Sequence, residues 1–357
     1  MSNLPETSEA KDLIHVALAI YDPKGTYARH TGVVMTSMFE HTTSSVCVHI
    51  LHDQTLTERN RSFLNETAEL FGQQAAFHDV SSHIERAGSE AVRRARIHAN
   101  SLGALFRLLI PEILLLDKVI YLDSDVIVNT DIRDLWNIGV EGYSFAGALD
   151  RPISSRYRRF SFNAFRLRLL KCDCKKYVNS GVLYMNLPRI REKFQLSRQG
   201  ASWYKRYAHC SSLVDQDLIN SYFCGDIKII DSRFNNCYAQ DGDISNAILH
   251  AIGAAKPWNG LKGSALDRLY WKTYLKTPWG RLAPDEIADL LIDVIRDSPY
   301  THRHTVLCYR KIFSRVWKDF ICNGIVKIVL LFLKDLYHRA KFQTTATCRI
   351  LPDASKK

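Results

Sequence analysis

Apolar and polar positions alternate along the chain in blocks whose period changes. Ile14–Ile20 (IHVALAI) is a continuous apolar run of strand length, closed by the turn-rich YDPKGTY at 21–27. Over Ala28–His41, the residues Val33, Val34, Ser37, Met38 and His41 recur at helical spacing. Val46–Leu51 (VCVHIL) reads as a second strand, and Thr55 with Glu58 has capping-box spacing ahead of a helix reaching Phe71. Ala75–His78 is a third strand, Ser101–Leu116 a helix despite Pro111, and Lys118–Leu122 (KVIYL) a buried strand. Strands alternating with helices imply right-handed crossovers and a mostly parallel α/β sheet covered on both faces. Ligands of such sheets gather at the carboxyl ends of the strands, which directs attention to residues 21–27 and 123–125.

Further on, Phe145–Leu149 and Asn179–Asn186 read as strands, with a basic, aromatic and irregular stretch over Arg151–Lys176 between them. A helix is predicted from Pro188 towards Tyr207, another opening at Val214, and an amphipathic one over Asp285–Asp297. Residues 297–305 (DSPYTHRHT) read as a linker. The expected organisation is a tail at 1–12, a catalytic domain at 13–280 and a helical, basic-aromatic region at 281–357.

Composition narrows the class. Of 357 residues, 46% are hydrophobic and 24% charged, which excludes collagenous, disordered and disulfide-dense scaffolds. The start, MSNLPETSEAKDLIH, has no apolar core of a secretory signal. Nine scattered cysteines suit unpaired thiols in a reducing, cytoplasmic compartment. Cys172-Asp-Cys174 has no second pair nearby to complete a soft-metal site. Net charge is +11, yet residues 301–357 hold twelve Lys/Arg against three acids and so carry nine of those charges. No nucleic-acid motif accompanies the charge. Interleaved Tyr309, Ile312, Phe313, Val316, Trp317 and Phe320 instead form one helical apolar stripe among basic residues, which points to an anionic membrane surface. Phe320–Leu333, interrupted by Asn323 and Lys327, is too short to span a bilayer.

Chemistry concentrates in a few strings. In Tyr121-Leu-Asp-Ser-Asp-Val-Ile-Val, the carboxylates of Asp123 and Asp125 emerge at a strand end, where both can turn to one ion. Hard oxygen ligands of this kind suit Mn²⁺ or Mg²⁺ bridging a diphosphate; a polar turn is the plain alternative. Haloacid-dehalogenase phosphatases also carry DxD, but on their first strand, and here about 120 residues precede it. In His250-Ala-Ile-Gly253-Ala-Ala-Lys256-Pro-Trp258, an imidazole supplies a third ligand, Gly253 admits a phosphate to the backbone and Lys256 gives it a point charge. Asp215, in VDQDLIN, is either a helix cap or a polar site residue, and Asn179-Ser180-Gly181 either a hairpin or a site turn. Arg107 either reaches a phosphate or is solvated on its helix.

The ordered strings YLDSDVIV, FAGALDRP, YVNSGVLYMNL, DQDLIN, DSRFNN and HAIGAAKPW resemble glycosyltransferase family 8, and within it bacterial lipopolysaccharide galactosyl- and glucosyltransferases, over residues 13–280. The resemblance implies a GT-A fold, a Rossmann-like mostly parallel sheet flanked by helices, and retaining transfer of galactose or glucose from a UDP-sugar to a glycan acceptor. It implies that Asp123, Asp125 and His250 hold the metal, that Ser124, Gly253 and Lys256 lie along the nucleotide, and that Arg107 sits by the diphosphate or sugar. Asn179, Asp215 and Gln216 would line the donor sugar, with Asp150 near its hydroxyls or the acceptor. Tyr21 and Asp22 take the place of the family's uridine signature, from which the loop Tyr21–Tyr27 departs. A self-glycosylating, glycogenin-like protein and a non-catalytic nucleotide-sugar-binding regulator are the alternatives.

Overall fold

The structure is a computed structural model, and it describes residues 13–86, 102–154, 162–207, 210–237, 244–253, 256–259 and 264–281. The expected tail 1–12, the helix Asp285–Asp297, the linker 297–305 and the basic region to residue 357 lie outside the described residues.

Among the described residues nine strands form in chain order: β1 Ile14–Ile20, β2 Val46–His52, β3 Gln74–Asp79, β4 Lys118–Leu122, β5 Val126–Asn129, β6 Phe145–Leu149, β7 Val178–Asn186, β8 Ile227–Ile230 and β9 Ala247–His250. The main sheet has the order β3-β2-β1-β4-β7-β6-β8, and β5 pairs with β9 in a two-stranded ribbon. From β3 to β4 every pairing is parallel, as the alternation of strands and helices requires. β7 then runs antiparallel to both β4 and β6, and β8 is parallel to β6. This is a mostly parallel sheet flanked by helices, a GT-A fold.

The reversal at β7 positions the site. Leu122, the last residue of β4, faces Val182 in the middle of β7, so the first residues of β7 run on past the end of β4. The carboxyl end of one strand and the amino end of its neighbour therefore deliver side chains to the same sheet edge. Alternation along β1 separates two cores. Ile14, Val16, Leu18 and Ile20 pack with Val34, Met35 and Met38 of helix α1 (Ala28–Glu40) on one face. Ala17 and Ala19 pack with Leu105, Phe106, Tyr204 and Leu218 on the other.

Three local expectations change. Helix α2 (Glu58–Glu69) is capped by Thr57, which accepts the Asn60 N–H. Thr55 instead donates its hydroxyl to Asp53 and accepts the Asp22 N–H at 2.8 Å. The helix begun at Pro188 stops after Lys193 because Phe194 turns extended (φ −141°, ψ 132°) and buries its ring 5.3 Å from Tyr222 and 5.8 Å from Phe223. Helix resumes over Ala201–Tyr207. The stretch Ser101–Leu116 breaks into Gly103–Phe106, a tight turn at Arg107–Leu109 and Ile110–Ile113, with Pro111 in the first turn of the last piece, where a missing N–H costs nothing. Within the irregular stretch Arg151–Lys176, helical pieces form at Arg151–Ser154 and Phe162–Leu169.

Cys47, Cys172, Cys174, Cys210, Cys224 and Cys237 are free thiols. Among the described residues no helix is long and apolar enough to cross a membrane.

Candidate active site

Between β4 and β5 the chain turns through Asp123-Ser124-Asp125, pinned by the Asp123 N–H on the Gly181 carbonyl (2.8 Å) and the Ala251 N–H on the Asp125 carbonyl (3.0 Å). Ser124 is buried, with its hydroxyl 2.9 Å from that of Thr31 on α1. With the middle residue turned inward, both carboxylates face one side. His250 ends β9, opposite Val126 in the ribbon, so it arrives beside them. Its Nε2 lies 3.1 Å from Asp125 Oδ1 and 3.9 Å from Asp123 Oδ2. Ligand atoms of all three side chains lie within 4.8 Å of one another.

The partners of these groups test whether they suit a cation. His250 Nδ1 is 2.9 Å from Asn235 Oδ1, an acceptor only, so Nδ1 carries the proton and Nε2 is left with its lone pair. That lone pair faces the buried Asp125 Oδ1, which has no hydrogen-bond partner. Two lone pairs at this separation require a positive charge between them, a proton or a metal ion. Burial opposes a charge on His250, but the Asp125 carboxylate prevails and pushes its pKa up to about 10. Burial likewise opposes ionisation of Asp125, yet His250 and Lys256 hold its carboxyl well below the usual carboxylate range. Asp123 commits Oδ1 to the Tyr121 hydroxyl and to Arg107, both at 2.7 Å, which leaves Oδ2 turned towards His250. Two carboxylates and one imidazole fit a hard-to-borderline divalent ion such as Mn²⁺ or Mg²⁺.

Arg107 is not a solvated helix residue. It is 6% exposed, stacks over the Tyr121 ring and gives Nη1 to the Ser180 carbonyl at 2.7 Å. It also pairs with Asp123 and, through Nε at 3.1 Å, with Asp215. Asp215 is no cap either. It lies one residue inside the helix Val214–Tyr222 and accepts the Ser180 hydroxyl at 2.9 Å. No side chain caps this helix; Asp217, inside its first turn, accepts the Ser212 and Leu213 N–H groups that precede it. Asn179-Ser180-Gly181 forms the start of β7 and not a hairpin turn.

A continuous polar chain runs on from the metal ligands. Asn235 donates to Asn179 Oδ1 at 2.9 Å, Asn179 donates to Asp150 at 3.3 Å, and Gln216 Nε2 donates to the same Asp150 oxygen at 3.0 Å. Gln216 Oε1 accepts the Ser180 N–H at 3.0 Å. The structure thus brings Asp150, Asn179, Asp215 and Gln216 together with the acid pair and His250. Lys256 joins them through an ion pair to Asp125 and a hydrogen bond to the Ala251 carbonyl. Gly253 has φ +72°, the left-handed backbone that only glycine adopts without strain.

Asp22 has another occupation. Its buried carboxylate accepts the Thr26, Tyr27 and Ala28 N–H groups at 2.7, 2.7 and 3.0 Å and Asn60 Nδ2 at 3.2 Å, closing the loop onto the start of α1. Tyr21 beside it is partly exposed.

One position beside His250 carried no role in the sequence, and one read there as part of a turn has a steric role instead. Asn235 orients His250, and the only signal for it was the polar pair in DSRFNN. Gly181 is required by crowding: a Cβ there would stand 2.2 Å from His250 Cε1 and 2.9 Å from Asp123 Oδ2.

The model for "Glycosyl transferase family 8" matches residues 19–262 of the chain. The chain belongs to glycosyltransferase family 8. The chain is 25% identical over 210 residues to a putative glycosyltransferase of Haemophilus influenzae, a stretch covering 58% of this chain and 60% of that one. It is 23% identical over 192 residues to the lipopolysaccharide 1,2-glucosyltransferase of Escherichia coli, covering 50% and 55%. The match thus spans somewhat over half the length of these curated relatives. Among solved structures, the galactosyltransferase LgtC in complex with donor and acceptor sugar analogues superposes with a TM-score of 0.62 at 21% identity, covering 78% of this chain and 100% of that one.

His250→Ala is expected to weaken metal use and nucleotide binding together, with partial rescue by raised Mn²⁺ through mass action. Activity titrated against Mn²⁺ checks this, and an unchanged half-saturation would remove His250 from the ligand set. Lys256→Ala is expected to raise KM for the donor without weakening the metal titration, since Lys256 occupies Asp125 as a competitor of the ion.

Proposed function

We propose that the protein transfers galactose or glucose from a UDP-sugar to a cell-envelope glycan such as lipopolysaccharide core, with retention of anomeric configuration and dependence on Mn²⁺ or Mg²⁺. The observation that carries this reading is the convergence of Asp123, Asp125 and His250 beside Lys256 and Gly253 at the carboxyl end of β4. Membership of the family supports the reaction class, and the lipopolysaccharide-acting relative supports the acceptor class.

Asp123, Asp125 and His250 would hold the ion, which when bound would supply Lewis-acid stabilisation of the leaving diphosphate. Asn235 keeps His250 in the tautomer that exposes Nε2. Arg107 fixes Asp123 and Asp215 on either side of Ser180. Lys256 transfers its charge from Asp125 to the donor phosphates, and Gly253 opens the backbone to them. Gln216 and Asp150 orient the donor sugar. Both ends of the Gln216 amide are hydrogen-bonded, and an amide is a weak nucleophile. That favours attack from the face the leaving group departs, with a phosphate oxygen accepting the acceptor's proton.

The test is a screen of radiolabelled UDP-galactose and UDP-glucose with core oligosaccharide, with and without EDTA. Chelator-sensitive incorporation from one donor is the expected result. Incorporation that ignores EDTA, or release of phosphate from monoesters with indifference to UDP-sugars, would overturn the reading.

Residues 281–357 are proposed as a separate helical region that attaches the enzyme to the inner face of the cytoplasmic membrane. Truncation after Thr305 is expected to leave UDP-sugar hydrolysis intact and abolish sedimentation with anionic liposomes. A truncated protein that does not fold, alongside a full-length protein that ignores liposomes, would make the region structural.

A further inference from the structure

Away from the donor end of the sheet, side chains of a different chemical kind are grouped. In the parallel register of β1 and β2, His15 lies beside Cys47 and Ala17 beside His49. Strand alternation puts these residues on the face opposite Ile14 and Val16. His15 Nδ1 is 3.0 Å from His49 Nε2, and the Cys47 thiol completes a group whose ligand atoms all lie within 4.8 Å of one another. On the next strand, His78 Nε2 lies 3.1 Å from His49 Nδ1. Cys47 and His49 are buried and His15 is partly exposed, so the group is enclosed by protein yet reachable at one edge.

The simplest account is a chain of neutral imidazoles, each giving one hydrogen bond and taking one, from His15 through His49 to His78. It leaves two things unexplained. Cys47 is drawn into the same cluster although an imidazole chain has no use for it. Three histidines also stand side by side on strands where apolar residues cost nothing. A metal centre accounts for both. His49 Nδ1 is engaged with His78 Nε2 at 3.1 Å, which leaves His49 Nε2 as the nitrogen turned towards His15 and Cys47. Binding exchanges the Cys47 thiol proton for the ion: S–H breaks, the metal–sulfur bond forms and one H⁺ leaves.

We propose that His15 Nδ1, Cys47 Sγ and His49 Nε2 form a second metal site, selective for a zinc-like transition ion, with the fourth position open to water. Two imidazoles and a thiolate are borderline-to-soft ligands, unlike the carboxylate-rich set at β4. Tetrahedral zinc would draw the ligand atoms to about 3.3–3.8 Å from one another, which rotamer adjustments at the partly exposed His15 accommodate. The site lies near the amino ends of β1 and β2, about 17 Å along the strand from the donor end. It would staple the two strands together without touching the reacting groups.

The experiment uses the untagged, metal-stripped full-length protein titrated with Co²⁺. The readouts are the near-ultraviolet thiolate-to-cobalt charge-transfer band and equilibrium dialysis. The expected result is one thiolate-bound cobalt per chain, displaced by Zn²⁺. Cys47→Ser should abolish the band, and His49→Gln should weaken its titration about tenfold or more. Asp125→Ala should leave the band unchanged, which separates this site from the donor-end site. His15→Asn, at the exposed edge, provides a variant with undisturbed circular dichroism and the same expected loss. Absence of a band in the parent protein, a band that survives Cys47→Ser, or unaltered cobalt affinity in folded His15→Asn would each overturn the site and leave an imidazole hydrogen-bond chain only.

Discussion

Asp125→Ala is expected to lower turnover by about 10²-fold or more, some 3 kcal/mol of transition-state stabilisation, while leaving the melting temperature within a few degrees of the parent. The carboxylate stands in a turn between strands and contributes nothing to the apolar clusters, so its removal opens no hole in the core. Without it Lys256 keeps the Ala251 carbonyl as an acceptor and His250 keeps its hydrogen bond to Asn235. Its chemical work is different. Asp125 Oδ1 is the buried oxygen that faces the His250 lone pair, and no other side chain can supply it to an ion. Asp125→Asn keeps the shape and removes the charge, so it should be nearly as inactive as the alanine variant. Initial rates at saturating Mn²⁺ and donor, together with a thermal melt, check the prediction. Near-parent turnover from either variant with a normal melt would mean that the donor-end cation is held elsewhere.

Gly181→Ala should have the second-largest effect. The added methyl cannot coexist with His250 where it stands, because Cε1 would be 2.2 Å away and Nδ1 2.7 Å. Either the imidazole swings off Asn235 or the start of β7 retreats from β4, and both separate the three ligands. Displacement of a positioned group by about 1 Å commonly costs about 10²-fold in rate, and the Mn²⁺ half-saturation should rise about tenfold alongside it. A second glycine separates this from general crowding of the sheet. Gly147 on β6 would bring a Cβ to 3.3 Å from Leu183 and Val178, a contact those side chains can relax. Gly147→Ala should therefore lose some stability and keep its metal titration. If Gly181→Ala also keeps it, His250 is not a ligand in the arrangement described.

What could be read from the chain follows the range of the interactions involved. β1 and β4 are largely apolar runs, as is the Val182–Met185 half of β7, and strands buried on both faces need no distant information to be recognised. The acid pair was legible because its two members are neighbours in one turn. Arg107 was ambiguous, since its solvated and buried forms differ only in Asp215 and Ser180, supplied by segments far down the chain. Asp22 was assigned to the nucleotide by its place after β1. Its commitment to three backbone N–H groups depends on the local path of the loop, which composition does not specify. The misplaced cap at Thr55 and the broken helix at Phe194 have the same origin. In each case a tertiary contact, with Asp53 or with Tyr222 and Phe223, outweighs a local preference.

The β5–β9 ribbon has a consequence for synthesis of the protein. β5 follows the acid pair directly, yet its antiparallel partner is β9, and Lys256, which pairs with Asp125, comes 131 residues after it. At translation rates of about 5–20 residues per second, the edge of β5 waits roughly 6–25 s on a growing chain before its partner has been made. Val126, Ile127 and Val128 are apolar and end up buried, so during that interval they form an unpaired strand of the kind that other chains can join. The candidate ion site inherits this order. Asp123 and Asp125 emerge long before His250, so the three groups first come together when the ribbon closes, one of the last long-range steps in folding of the described domain.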